Sequence, residues 1–290
     1  KRKRIEVEMK IMNVVMVGLG VIGGSFAKAL KKAGYENVFG VDVDLETLKK
    51  AEKAKIIKKG CTTGKELFKK ADLIILSIYP RLVVDFLNNN KNFFKKGTII
   101  TDTTGIKETL INDVLQIIPD DIDFIFGHPM AGREKKGIDF ASEQVFNGAN
   151  YIITPTGRNN IKNLELVENL ILEIGFKRVK KLTSQKHDEI IAFTSQLPHV
   201  MAVALINSDE EGRDTGKFIG DSYRDLTRIA NMNEDLWSEL FLGNRDNLLK
   251  VIENFESEVN LVKEAIFNND KNKLIEYFKK SSIRREALEK

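Results

Sequence analysis

The chain has 290 residues, 42% hydrophobic and 30% charged, a composition that excludes collagen-like, disordered and disulfide-scaffold classes, and its length corresponds to roughly two domains. Its net charge of +4 is supplied entirely by Lys1, Arg2, Lys3 and Arg4, so no basic footprint marks a nucleic-acid partner. Apolar runs are strand-sized, short of the roughly 18 residues of a membrane span, and the single cysteine, Cys61, fits a reducing compartment. A cytoplasmic protein with no nucleic-acid or membrane partner is expected, since the first residues also lack a signal peptide's apolar core.

Taken in chain order, β-rich segments at 13–17, 38–43, 73–78, 98–101, 123–126, 151–154 and 177–179 alternate with helical spacing at 25–33, 45–55, 65–70, 107–118 and 161–174. Several strands are nearly continuous apolar runs, as expected where both faces are covered. The alternation predicts a mostly parallel sheet with right-handed crossovers. After about Ser184 strand signals stop, and helices are predicted over about 185–207, 234–267 with at least one break, and 270–289. Phe255, Val259, Val262 and Ile266 make an amphipathic stripe that must bury against something, inside the chain or across a dimer interface. The expected fold class is α/β plus all-α: a doubly wound parallel sheet over 1–182, then a helical C-terminal domain over 183–290.

The strand at 14–17 runs into Gly18-Leu19-Gly20-Val21-Ile22-Gly23 and then a helix. Gly18 permits a tight turn, Gly20 lets backbone approach a pyrophosphate, and Gly23 allows close helix–strand packing. Val21 and Ile22 open the helix, whose N-terminus offers unpaired N–H groups and a positive dipole end. Asp42 ends the second strand about 20 residues on, where an acid accepts from both ribose hydroxyls and repels a 2′-phosphate. These features make the N-terminal domain Rossmann-type and the cofactor NAD rather than NADP, although nearby Asp44 competes for the same register. At later strand ends, Ser77 in Ser77-Ile78-Tyr79-Pro80 and Thr103 in Asp102-Thr103-Thr104-Gly105-Ile106-Lys107 suit a nicotinamide pocket. They are equally good turn and capping residues.

The chain has three histidines. His128 follows the 123–126 strand at its carboxyl end, on the cofactor's side of the sheet. His187 and His199 lie twelve residues apart on one predicted helix, about 18 Å if it is straight, so they cannot serve the same atom. Pro198 removes an N–H, frees the Thr194 carbonyl and predicts a kink that re-aims His199. A nicotinamide dehydrogenase needs a group to take the alcohol proton, and His128 is best placed to do so. Arg224 and Arg228 are able to clamp a carboxylate or simply pair with Asp221 and Asp225. Trp237, on an apolar stretch, reads as core. No Cys/His or HExxH spacing points to a metal.

Four blocks, GLGVIGGSFA (18–27), GHPMAGREKKG (127–137), HDEIIAFTSQLPH (187–199) and RDLTRIA (224–230), give a sequence that resembles the prephenate dehydrogenase family over nearly its whole length. The resemblance implies oxidative decarboxylation of prephenate to 4-hydroxyphenylpyruvate with hydride transfer to NAD, on the way to tyrosine. It implies that His128 accepts the C4 hydroxyl proton and that His199 and Arg228 hold the substrate's carboxylates. By the same resemblance His187 supports that wall, while Arg133 and Glu134 complete the substrate set, Glu134 near the cleft entrance. Two departures stand out. Gly105 occupies the position of a serine whose hydroxyl helps hold the catalytic site, so Thr104 or a water takes its place. Gln196 stands where many members have histidine. The resemblance also implies a homodimer through the helical domain. Too few residues precede Val14 for a fused chorismate mutase and none follow for a regulatory domain, so a stand-alone enzyme is expected.

Overall fold

The computed structural model describes residues 10–132 and 135–288. Its sheet has eight strands: Val14–Val17 (β1), Val38–Val41 (β2), Lys59–Cys61 (β3), Leu73–Leu76 (β4), Ile99–Asp102 (β5), Asp123–Pro129 (β6), Asn150–Thr154 (β7) and Arg178–Lys181 (β8). They lie in the order β3-β2-β1-β4-β5-β6-β7-β8, all parallel except β6 with β7. Because β1 pairs with both β2 and β4, the winding reverses there and a crevice opens beyond its carboxyl end. Val14 and Met16 join Phe26, Leu30 and Phe176 on one face, while Val15 and Val17 join Phe68, Val83 and Val114 on the other. Strands buried on both faces have no solvent side to alternate with, which is why β1 and β4 read as unbroken apolar runs.

Among the strands and α-helices described in the sheet half, two escape the periodicity of the sequence. One is the short edge strand β3; the other is the helix Pro80–Asn90, whose proline sits in its first turn, where it is helix-compatible but reads as a turn signal. A larger difference concerns β6, which continues past Phe126 to Pro129. Gly127, His128 and Pro129 find partners in Ile153, Ile152 and Tyr151 of β7, so the ladder propagates. A side chain at Gly127 would collide with the Tyr151 ring. His128 is therefore a strand residue fixed by sheet hydrogen bonds rather than a loop residue.

In the helical half, Ser184–Ile191 continues through a π-helical stretch, Ala192–Gln196, into Leu197–Asn207. Pro198 has no N–H to close the ladder, and the helix widens by a residue instead of breaking. The expected kink is thus a π-bulge, and the Thr194 hydroxyl donates to the Ile190 carbonyl at 2.8 Å. As one piece, Ser184–Asn207 has 24 residues at mean hydropathy 1.5, by length and composition enough to cross a membrane; the run-length reading of the sequence missed this. Its His187, Asp188 and Gln196 are buried and hydrogen-bonded inside the chain, which is the behaviour of a helix packed into a folded domain. Asp221–Thr227, Glu234–Gly243, Arg245–Phe267 and Lys271–Ala287 follow, the expected break falling at Asn244. Along the stripe, Phe255 and Val262 are half-buried, but Val259 and Ile266 stay 46% and 60% exposed, so this chain alone does not cover it.

Candidate active site

At the reversal of the sheet, the three glycines have three different causes. Gly18 has a φ of +84°, a conformation glycine adopts without strain, and a side chain there would strike the Ser77 carbonyl. A side chain at Gly23 would strike the Gly18 carbonyl, whereas among the described residues other than its chain neighbours no atom lies within 4 Å of one placed at Gly20. Internal packing thus explains the first two, and the third leaves room for a ligand to approach the backbone. That open space adjoins the first turn of helix Val21–Lys32, where the Val21 and Ile22 N–H groups have no intrahelical acceptor. It has the makings of a phosphate site. The Asp42 carboxylate turns back onto the same loop, accepting from the Leu19 N–H at 2.7 Å and the Asp44 N–H at 2.9 Å. Asp44 is occupied elsewhere, capping helix Leu45–Lys53 through the N–H groups of Glu46 and Thr47. Of the two, Asp42 is the carboxylate that contacts the glycine turn.

The loops after β4 and β5 meet beside this turn, where the Thr103 hydroxyl donates to the Ser77 hydroxyl at 3.2 Å. Behind them Asp102 and Lys107 form an ion pair at 2.8 Å with no solvent exposure on either side chain. Burial holds the Lys107 ammonium below its ordinary range, and Asp102 opposes that shift. Asp102 also accepts from the Gly127 N–H at 3.0 Å, which ties β5 to β6 one residue before His128. Removing one partner of such a pair costs about 3–5 kcal/mol. The Thr104 hydroxyl donates to Asp102 and accepts from Lys107, so the expectation that it substitutes near the base is corrected. The position facing the base is Gly105 itself, where a Cβ would stand 3.7 Å from His128 Nε2.

His128 Nδ1 lies 2.9 Å from His187 Nε2, and His187 Nδ1 lies 2.6 Å from Asp188 Oδ1. The Asp188 carboxylate also accepts from the N–H groups of Lys107 at 3.0 Å and Glu108 at 2.9 Å, at the start of helix Glu108–Ile117. These contacts determine the tautomers. A carboxylate only accepts, so His187 carries its proton on Nδ1; the reverse tautomer would forfeit a hydrogen bond to a charged group, worth about 1.5–3 kcal/mol. His187 Nε2 is then an acceptor, His128 Nδ1 carries a proton, and His128 Nε2 keeps its lone pair toward Gly105. Burial, then the neighbouring His187 and Lys107, holds His128 well below the usual imidazole range. Burial also lowers His187, against the pull of Asp188. His187 is itself fully buried, so it supports His128 from behind and does not line the substrate wall, a second correction.

A pH dependence follows. The acid limb of kcat is expected below pH ~6.5, the ordinary imidazole value; a limb at or above it would contradict a base held neutral by burial. The unfolded chain protonates both histidines near that pH while the folded chain resists. Stability should therefore rise with pH through the window below ~6.5 and level off above it.

On the facing domain, His199 donates from Nδ1 to the Ser195 carbonyl at 2.8 Å and stacks on Trp237, with ring centroids 3.6 Å apart and planes at 27°. Trp237 is thus half-buried against His199 rather than core, which an apolar stretch in one dimension does not distinguish. Arg228 opens a 3-10 turn, Arg228–Ala230, packed on the helix that carries His199. Arg224 makes an exposed pair with Asp221 at 3.2 Å, the plainer of its two readings. Arg133 and Glu134 lie outside the described residues. Asp102, Lys107 and Asp188 stood inside quoted motifs without a role, because spacing does not reveal which side chains turn inward.

A crevice suited to a dinucleotide, with a neutral histidine on the same sheet backed by His187 and Asp188 of the helical domain, defines a two-domain nucleotide-dependent dehydrogenase. Residues 26–180 match the family described as "Prephenate dehydrogenase, nucleotide-binding domain" and residues 183–280 match "Prephenate dehydrogenase, dimerization domain". The chain belongs to the prephenate dehydrogenase family. It is 27% identical to prephenate dehydrogenase of Bacillus subtilis over 95% of this chain and 76% of that protein. With cyclohexadienyl dehydrogenase of Zymomonas mobilis it shares 28% identity, over 95% of this chain and 96% of the relative. The crystal structure of prephenate dehydrogenase from Aquifex aeolicus in complex with hydroxyphenyl propionate and NAD+ superimposes with a TM-score of 0.87 at 32% identity, covering 96% of this chain and 98% of that one.

Proposed function

We propose that the protein oxidises and decarboxylates prephenate to 4-hydroxyphenylpyruvate with NAD as acceptor. The observation that carries this reading is the Asp188–His187–His128 chain, which leaves one basic nitrogen, His128 Nε2, beside the cofactor crevice. His128 takes the proton of the C4 hydroxyl. The positive charge it acquires is shared through Nδ1–H with His187, and the Asp188 carboxylate stabilises that charge in turn. Residues 18–23 would hold the dinucleotide and Asp42 its ribose, and NAD bound there would supply the acceptor for the C4 hydride. The ring carboxylate then leaves as carbon dioxide because the product is aromatic, so the protein's task is orientation and proton acceptance. His199 and Arg228 hold the substrate's carboxylates.

The test is NADH formation by the purified protein with prephenate or arogenate, each with NAD or NADP. Turnover with prephenate and NAD supports the reading. Turnover only with arogenate retains the mechanism and moves the error to side-chain recognition, while no turnover in any mixture overturns it. Asp42→Ser should relax cofactor choice. Like-charge contact costs a few kcal/mol, so the NAD-over-NADP ratio of kcat/KM should fall by about two orders of magnitude. An unchanged ratio would locate the discrimination elsewhere.

The working unit in this reading is a homodimer formed by the helical domain. The partly exposed stripe at Val259 and Ile266 supports it, as does the description of the family matched by residues 183–280. Light scattering should give the mass of two chains, and a single-chain mass at micromolar concentration would contradict the dimer.

A further inference from the structure

One helix, Glu234–Gly243, touches both walls of the cleft. Trp237 stacks on His199 at the substrate wall. Glu239 reaches across the domain boundary to the loop after β4, whose Ser77 carbonyl backs onto Gly18 of the cofactor turn. There the Glu239 carboxylate accepts from the Arg81 N–H at 3.1 Å, at the start of helix Pro80–Asn90, and pairs with the Arg81 guanidinium. The Glu239 side chain is only 17% exposed. Arg81 in turn lies 4.8 Å over the Tyr79 ring, and the Tyr79 hydroxyl accepts from the Asn233 side chain at 2.9 Å. Asn233 caps the same helix through the Leu236 N–H.

The contact resembles the one made by Asp188. In both, a carboxylate of the helical domain sits on the N-terminus of a sheet-domain helix, where the dipole is positive. The two differ in burial: Asp188 is buried, whereas Arg81 keeps 52% of its side chain in solvent. A half-exposed charged contact is able to open while a buried one holds. Its two ends are the loop beside the cofactor turn and the helix that carries the substrate wall.

We propose that Glu239 is a positioning residue which, by docking Arg81 and Tyr79, couples the cofactor wall to the Trp237–His199 substrate wall, so that binding on one side favours binding on the other. The inference rests on the functional reading above. Once residues 77–81 are ordered by the dinucleotide, helix Glu234–Gly243 is held against them and Trp237 is placed under His199. Thermodynamic linkage makes the effect reciprocal, and coupling of this kind is typically about 5-fold or more in affinity.

The experiment measures the Kd of hydroxyphenyl propionate with and without saturating NAD by calorimetry, in the wild type, Glu239→Gln and Arg81→Met. Glu239→Gln keeps the shape and loses the charge; Arg81→Met keeps the backbone N–H and loses the guanidinium. In the wild type NAD should tighten the probe by about 5-fold or more, and in both variants the factor should fall toward one. A wild-type factor in both variants overturns the proposal, as does a wild type with no coupling. A merely structural contact would lower Tm and leave the factor intact, which also overturns it. A wild type that binds neither NAD nor the probe overturns the functional reading, and this inference with it.

Discussion

His128→Asn is expected to lower kcat by about two to four orders of magnitude while the Kd for NAD stays near wild type. Asparagine retains a donor able to reach His187 Nε2, so the chain back to Asp188 remains hydrogen-bonded and β6 keeps its register with β7. What is lost is the lone pair that His128 Nε2 turns toward Gly105. The proposed cofactor residues, Gly20 and Asp42, follow other strands. Steady-state rates at saturating prephenate, with NAD titrated separately by fluorescence quenching, separate the two effects. An undiminished kcat would remove His128 as the proton acceptor, and a parallel loss of NAD binding would show a structural role instead.

Asp188→Ala is expected to damage stability and catalysis together. Its carboxylate accepts from the Lys107 and Glu108 N–H groups and from His187 Nδ1. Truncation leaves buried donors unpaired at about 1–3 kcal/mol each and removes a helix cap worth about 0.5–2 kcal/mol. A loss of roughly 3 kcal/mol lowers Tm by about 10 °C in a protein of this size class. Catalysis falls because nothing then holds His187 in the tautomer that orients His128, and a directly contacting carboxylate of this kind is worth up to about 10⁴ in kcat. His187→Leu separates the roles: it keeps the cap and breaks the relay, so its kcat should drop with a smaller change in Tm. A wild-type Tm in Asp188→Ala would refute the capping contact, and a wild-type kcat in both variants would refute the relay.

This arrangement places the base on the more rigid side of the cleft. His128 lies in a strand paired on both sides of the sheet, backed by the buried Asp102–Lys107 pair, and its orienting partners come from the other domain. His199 and Trp237, the proposed substrate wall, are carried by helices instead. The helical domain therefore supplies both the groups that orient His128 and the groups proposed to face the substrate.

Much of this could be read along the chain. The apolar strands, the glycine turn, Asp42 and the three histidines are local in sequence, because strand burial, a positive-φ glycine and a helix start leave marks within a few residues. Gly105 is likewise visible as a missing side chain. The roles of Asp188, Lys107, Trp237 and Glu239 are not legible in this way. Lys107 reads as an ordinary helix-start lysine and Trp237 as core, yet one is paired at the bottom of the site and the other stacks on His199. Thr104 and His187 were given plausible roles by resemblance, and packing reassigned both, one to the ion pair and the other to the back of His128. The extent of β6 was likewise decided by β7, whose pairing carries the strand through His128. Periodicity and turn chemistry act over one helical turn or one strand pair and are therefore written in the sequence. The pairing of His128 with His187, the turning of Asp188 onto the Lys107 N–H and the choice of helix by Glu239 depend on contacts across 59 to 158 residues of chain, and only the tertiary structure brings those together.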